Sequence, residues 1–565
     1  MKFSEYTYER PDYERYKKDF LHLVDSLKSA ESVDEVKEAI DSISDLSASL
    51  STMGTLASIR QSIDTKDEFY DEEDKYWNEY SPYYQELGTT YYKAVMDSPY
   101  LEELKNHYPR TFFQNMQFEL DSFDSKVIDL LQKENQLSSD YQKLLASAEI
   151  EFDGKTLTLS QFGPYLESKD RQVRKEASEA HLSFFEENEE EIDRIYDELV
   201  KVRDTIAKKL GYKDFVELGY VRMKRFDYNR DMVEVYRKQV LDYVVPLTKK
   251  LSDRQAKRIG IEDMKHYDAA LQFLDGNPTP QGNPDYIIDN GRKMYHELSP
   301  ETADFIDFLF DKELVDLLSK EGKAGGGYCT YIPDYQSPFI FANFNGTSGD
   351  IDVLTHEAGH AFQVYQSRWI KQPEIVFPTY ETCEIHSMSM EFFTYPWMEL
   401  FFKEQTDKYK FDHLSGTVRF LPYGVLVDHF QHEVYENPEW TPEERKAAWR
   451  RLEKQYIPHR DYSESDFLDK GTYWFRQGHI FGSPFYYIDY TLAQVCALQF
   501  WKRAIVDEDE TAWNDYMAIC KAGGTKSFLE TVETARLRSP FEEGSLEDVV
   551  KTIDEALDAV DDSKL

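Results

Sequence analysis

Two histidines separated by three residues, His356 and His360, can hold one ligand between them only if the intervening chain is helical. That requirement constrains this chain more than any other feature of its 565 residues. Residues four apart on an α-helix share a face, so the two imidazoles converge. The surrounding stretch, residues 352–366 (DVLTHEAGHAFQVYQ), supports a helix: Val353, Leu354, Ala358, Ala361, Phe362 and Tyr365 form an apolar stripe at helical spacing. Residues 346–350 (GTSGD) ahead of it supply breakers and N-cap candidates. Gly359 costs a helix interior about 1 kcal/mol relative to Ala, which calls for a close approach by another segment or by a ligand. Neutral imidazole is a good zinc ligand. Glu357, beside His356, stands close enough to take a proton from a water that such a metal activates.

Composition narrows the setting. Hydrophobic residues are 41% and charged residues 31% of the chain, as in ordinary soluble proteins, and the length allows about two to four domains. With 66 basic against 107 acidic side chains the net charge is -41, and no basic stripe stands out, which argues against nucleic acid as a partner. The four cysteines, Cys329, Cys383, Cys496 and Cys520, form no C-x-x-C pair and suit a reducing compartment. Cys383 reads as a small buried residue and not as a nucleophile. The N-terminal stretch has no apolar signal region, and no run of about 18 apolar residues occurs. The expected location is the cytoplasm, with no membrane partner. The 40 tyrosines and 36 phenylalanines are a high load; most must be core, and some can line a cleft for extended peptide.

Along the chain, residues 1–148 read as long polar helices. Phe20, Leu23, Val24 and Leu27, then Val33, Val36, Ile40 and Ile43, recur at three- and four-residue steps. Residues 149–159 (EIEFDGKTLTL) break that pattern and predict a hairpin around Asp153-Gly154. Helices resume at about 170, with a short break at 227–229. Arg222 and Arg225 are expected to pair with the protein's own acids. Residues 275–284 (DGNPTPQGNP) read as a linker or surface excursion, and two more helices lead to Lys323. Residues 325–332 and 337–344 read as two short strands. Just ahead of a metal helix, such a strand can offer its edge to a peptide backbone, and Ala342 is the residue assigned to that contact. His429 and His432 read as structural.

A third ligand must follow. The metzincin pattern requires Gly at 363 and His at 366, where this chain has Gln363 and Gln366, so that solution is excluded. A carboxylate on the next helix, expected over residues 380–402, is the common alternative. Glu381 and Glu384 compete for the role, and spacing does not choose between them. Glu391, two turns after Glu384, can orient a ligand histidine through its free ring nitrogen. Residues 471–491 (GTYWFRQGHIFGSPFYYIDYT) read as a flexible loop and an aromatic helix start. His479, Tyr486, Tyr487 and Tyr490 there are the donor types that a tetrahedral oxyanion needs.

Taken together, HEAGH at 356–360, Glu384 followed by Ser387 and Glu391, and His479 with PFYYIDY at 484–490 resemble the thimet oligopeptidase family of zinc peptidases. The N-terminal YERPDY and the GGGYC strand are similar to its oligoendopeptidase F-like branch. The resemblance covers essentially the whole chain and implies a mainly α, zincin-type fold with a deep substrate channel and a small β-hairpin or sheet beside the H-E-x-x-H helix. It implies an N-terminal helical domain (1–195) forming one channel wall and a catalytic domain (196–565). It implies one zinc per chain on His356, His360 and Glu384, with Glu357 as general base. His479 and Tyr490 would hold the oxyanion, and Tyr487 or Tyr486 would contact substrate. In the thimet oligopeptidase itself the loop before these tyrosines is richer in Gly, and here it carries Ser483-Pro484.

The expected function is zinc-dependent cleavage of internal bonds in short peptides, by a monomer or homodimer. Two alternatives differ in kind. A peptidyl-dipeptidase would need a cationic clamp, with Arg222, Arg225 and Arg476 as candidates. A peptide-binding protein with structural zinc would have no use for Glu357.

Overall fold

The periodic spacing of the first third is realised as long helices, among them Tyr13–Lys28, Val33–Ile63 and Glu68–Met96, in a computed structural model that describes residues 1–320 and 322–565. The side chains of Asp12, Ser32 and Asp67 each accept a backbone N–H at the start of one of these helices, satisfying donors that a helix N-terminus leaves open. Phe20, Val24, Val36, Ile40 and Ile43 are buried in one apolar cluster. Tyr331, Val364, Ile370 and Val376 join it, so the N-terminal helices pack directly on the elements that carry the metal motif.

The hairpin forms as expected. Strand β1 (Ile150–Phe152) pairs antiparallel with β2 (Lys155–Leu157). Asp153 and Gly154 take φ of 50° and 69°, the left-handed pair of a type I′ turn. The helices Arg171–Glu187, Glu189–Leu210 and Phe215–Arg222 follow. The next helix starts only at Arg230, so the break is wider than 227–229.

One strand escaped the periodicity. After the helices Pro284–Leu298 and Pro300–Asp311, β3 (Val315–Leu318) pairs parallel with β5 (Ser337–Phe344), and β4 (Tyr328–Ile332) pairs antiparallel with β5 on its other side. The order is β3-β5-β4. A four-residue run such as Val-Asp-Leu-Leu has no period of its own, and its partner lies more than 20 residues on. This corrects the assignment of Ala342. The residue is fully buried on the central strand, and its carbonyl accepts from Lys323 Nζ. The edges left without a strand partner among the described residues belong to β3 and β4, and β4 is the one that runs beside the metal-motif helix.

The metal-motif helix runs Gly349–Ser367 and the next one Tyr380–Phe393. The latter ends nine residues before the expected 402 because Pro396 follows, in a 3-10 turn. Gly359 explains how the two helices meet. A Cβ there would lie 2.7 Å from the carbonyl oxygen of His386 and 2.7 Å from Ser387 Cα. Helices Thr406–Glu436 and Tyr487–Trp501 close the layer behind them. The molecule is mainly α, and among the described residues no helix is long and apolar enough to cross a membrane.

Candidate active site

The helical spacing of His356 and His360 brings their rings to 5.0 Å, nearly perpendicular. Glu384 approaches from the neighbouring helix. Its Oε2 lies 3.3 Å from His356 Nε2 and 3.4 Å from His360 Nε2. Zinc bonds of about 2.0–2.1 Å in a tetrahedron separate adjacent ligand atoms by about 3.3–3.4 Å. The three groups therefore fit a zinc ion by donor type and by separation, and they are the His/Cys/Asp/Glu cluster among the described residues suited to a metal. Glu381, the rival carboxylate, is fully buried one turn away with neither oxygen hydrogen-bonded.

Two of the three, Glu384 and His356, are held from behind. Ser387 Oγ donates to Glu384 Oε2 at 2.9 Å, and Tyr486 OH donates to Oε1 at 2.8 Å. Glu391 Oε1 takes His356 Nδ1 at 2.7 Å, Glu391 Oε2 takes His413 Nε2 at 2.7 Å, and His413 Nδ1 meets Tyr395 OH at 2.6 Å. Burial alone would raise the Glu391 carboxyl, but the hydrogen bonds from His356 and His413 outweigh it and bring it down to about 2. The carboxylate is thus ionised and accepts from both imidazoles, which turns His356 Nε2 toward Glu384 as the nitrogen that would bind a zinc ion.

Glu357 is buried on the same helix, and its Oε2 has no partner. Burial raises its carboxyl above the usual glutamate range, against the pull of His356 and His360. Gly327, which leads into the open-edged strand β4, stands beside it: a Cβ there would be 3.6 Å from Glu357 Oε1. Cys383 is a thiol pushed well up by burial first, and its Sγ faces the Pro378 carbonyl at 3.7 Å.

The helix start expected in the 471–491 stretch lies at Tyr487, and ahead of it, where a loop was expected, the chain is folded at Tyr473–Arg476 and Gly478–Gly482. It forms short helical turns whose carbonyls are clamped by side chains. Tyr141 OH donates to Phe475 O, Arg203 to Ile480 O and Phe481 O, and Arg225 to Phe485 O. Phe485 has φ of 68°, a conformation that costs a bulky residue energy, and Gln431 holds its N–H at 3.0 Å. Gln477 Nε2 donates to His479 Nδ1 at 2.8 Å, and Tyr423 OH to Gln477 Oε1 at 2.8 Å. His479 therefore carries its proton on Nε2 and offers it as a donor. Burial holds this imidazole below its ordinary value, so it is neutral near pH 7.

A cavity of about 1390 Å³ opens beside this cluster, lined by His479, Tyr487, Tyr490, Glu391 and Met388. Tyr486 instead borders a smaller cavity with Tyr380, so the two adjacent tyrosines face different spaces. The 275–279 stretch lines the large cavity as well and is part of its wall, not a remote excursion. Arg222 and Arg225 pair with Glu134 and Asp489, each at 3.0 Å, and Arg476 stacks on Tyr473. His432 bonds Tyr220 OH at 3.0 Å and is held neutral by burial. Sequence reasoning missed His413, Gln477 and Arg203. Only Gln477 had a local signal, its place two residues from His479.

A model of peptidase family M3 matches residues 164–277 and 293–550, and a model of the peptidase M3 N-terminal domain matches residues 3–123. Oligopeptidase PepF of Bacillus subtilis (strain 168) is 23% identical over 456 residues, covering 75% of this chain and 64% of that protein. The match thus spans just under two thirds of that relative's length. The solved structure of PZ peptidase A with an inhibitor is similar over the full length of both chains, with a TM-score of 0.96 and 53% identity. A crystal structure from Bacillus anthracis str. Ames, ascribed to oligoendopeptidase F, has a TM-score of 0.92 at 55% identity, covering all of this chain and 99% of that one.

Proposed function

This chain belongs to peptidase family M3, and on that premise we propose that it is a zinc endopeptidase that hydrolyses internal bonds of short peptides in the cytoplasm. The observation that carries the proposal is one geometry: His356, His360 and Glu384 at tetrahedral spacing, with the unpartnered carboxylate of Glu357 beside them. A site closed for structural purposes takes a fourth protein ligand and needs no base.

When bound, one zinc per chain supplies a Lewis acid that polarises the scissile carbonyl and makes a water nucleophilic at neutral pH. Glu357 Oε2 accepts the proton that the attacking water loses and returns it to the leaving nitrogen, so the carboxylate ends as it began. His479 Nε2–H and Tyr490 O–H donate to the carbonyl oxygen as charge builds there. Tyr487, on the large cavity, contacts the peptide, while Tyr486 steadies Glu384. The unpaired edge of β4, entered through Gly327 beside Glu357, offers main-chain groups to an extended peptide, which reads length and backbone more than side chains. In this reading residues 1–195 form one wall of the channel and 196–565 carry the chemistry.

The dipeptide-releasing alternative needs a cation free to hold a terminal carboxylate. Arg222 and Arg225 are committed to Glu134 and Asp489, which favours internal cleavage and leaves Arg476, stacked on Tyr473, as the candidate clamp of that alternative. Digestion of quenched peptides of graded length, with and without chelator, tests the proposal. Internal cuts abolished by the chelator and restored by zinc are expected; cuts confined to one terminus would refute it.

A further inference from the structure

Away from the metal cluster, a second cavity of about 180 Å³ lies between the helix Val245–Arg258, the turn at 264–269 and the segment 456–461. Its charged lining is Lys265, Arg419, Arg460 and Asp461, a net positive pocket in a chain of net charge -41. Lys265 is already neutralised, its Nζ bonding Asp461 at 2.7 Å and Asp263 at 3.0 Å. The two guanidiniums are less committed. Arg419 bonds Gln272 at 2.7 Å and leaves its buried Nε without a partner. Arg460 stacks on Tyr473 and pairs with Glu453 at 3.5 Å.

The imidazoles on the same cavity are stranded too. Nδ1 of His459 is buried with no hydrogen-bond partner in the protein, and His266 has neither ring nitrogen in a well-aligned hydrogen bond, the Asp461 backbone being its neighbour. Buried polar atoms are nearly always partnered, and each exception calls for an explanation. One N–H from each ring and the Arg419 Nε–H, around one positively charged space, call for a common acceptor. Burial, then the neighbouring arginines, push both imidazoles down to about 4. At neutral pH each is therefore an uncharged ring with one N–H to donate. The acids that face these groups are Asp461 on the cavity itself, Glu464 for His266, Asp253 for His459, Asp412 for Arg419 and Glu453 for Arg460. Neutral N–H donors set in a cationic field suit a small anion with several acceptor oxygens.

We propose that this cavity binds a small oxyanion of the phosphate or sulfate type, held by Arg419, Arg460, His266 and His459. Arg419 also lines the large cavity beside the metal cluster, so the anion sits behind the wall of the peptide channel.

The test is calorimetric titration of inorganic phosphate into the zinc-loaded protein in a phosphate-free buffer, repeated on His459→Ala and Arg460→Gln. One phosphate per chain is expected, weakened about tenfold or more by each change. His459→Ala should keep its peptide hydrolysis in phosphate-free buffer, because His459 touches none of the reacting groups. Crystals grown with selenate should show its anomalous signal between Arg419 and Arg460. Melting curves establish that each variant is folded, and either one alone suffices. No uptake of phosphate, uptake that a folded variant retains undiminished, or selenate only at the metal cluster would overturn the proposal.

Discussion

His356 donates from Nδ1 to Glu391 Oε1 at 2.7 Å, and that bond decides which nitrogen of the imidazole can face a metal. Glu391 is itself fixed by His413 through its other oxygen, so Tyr395, His413, Glu391 and His356 form one chain of hydrogen bonds. Replacing Glu391 with Ala frees the ring to turn and to change tautomer. Zinc affinity should fall about 10–100-fold, read by competition with a chelator. His413→Ala should act in the same direction and less strongly. Unchanged affinity in both variants would remove the chain from the account.

Gly359 sets the distance between the helix of the two histidines and the helix of Glu384. A methyl group there meets the backbone at His386 and Ser387, not the movable end of a side chain. Gly359→Ala should therefore lower the melting temperature in spite of its better helix propensity, at a cost of about 1–3 kcal/mol. It should also speed zinc loss to a chelator, because the same displacement opens the ligand triangle. A variant as stable as the parent would contradict the tight packing.

Gln477 holds His479 in the tautomer that donates from Nε2. Gln477→Leu removes that control without touching substrate. The expected result is a kcat lowered about tenfold, the value of one hydrogen bond, with little change in KM. An equal rise in KM at constant kcat would mean that His479 serves binding alone.

Asp268 is fully buried between Arg171 and Arg174, at 2.8 and 2.7 Å. Burial alone would raise its carboxyl, but hydrogen bonds from Arg171, the Lys265 N–H and Arg174 outweigh this and hold it below the ordinary 3.8. A depressed carboxyl stabilises the fold above its unfolded value, and the contribution is lost as pH falls through the lower folded value. Asp268→Asn removes the charge partner of the buried Arg174 guanidinium and should cost about 3–5 kcal/mol at pH 7, measured by denaturant unfolding. The difference between variant and parent should shrink below pH 3.8. A difference that grows on acidification would contradict the assignment.

What the sequence made legible follows the range of the interactions. The His356 helix, the hairpin at Asp153-Gly154 and the N-terminal helices rest on contacts within a few residues, and periodicity reads those. The choice between Glu381 and Glu384 rests on which face of one helix meets another, and no spacing within residues 380–393 contains that. The same limit hid β3, whose partner is a parallel strand, and with it the central position that excludes Ala342 from an edge. Residues 275–284 look like a loop in composition, and nothing local says that 275–279 wall a cavity. Arg203 and His413 act on groups hundreds or tens of residues away, so only the folded chain connects them to the site.

The central claim is that Glu357 moves the proton at a zinc held by other residues. Glu357→Ala should be compared with the parent by metal analysis and by turnover of a short quenched peptide. The account predicts one zinc per chain in both proteins and a turnover lowered about 10²–10⁴-fold in the variant. A folded, zinc-loaded variant that retains parental turnover would contradict it.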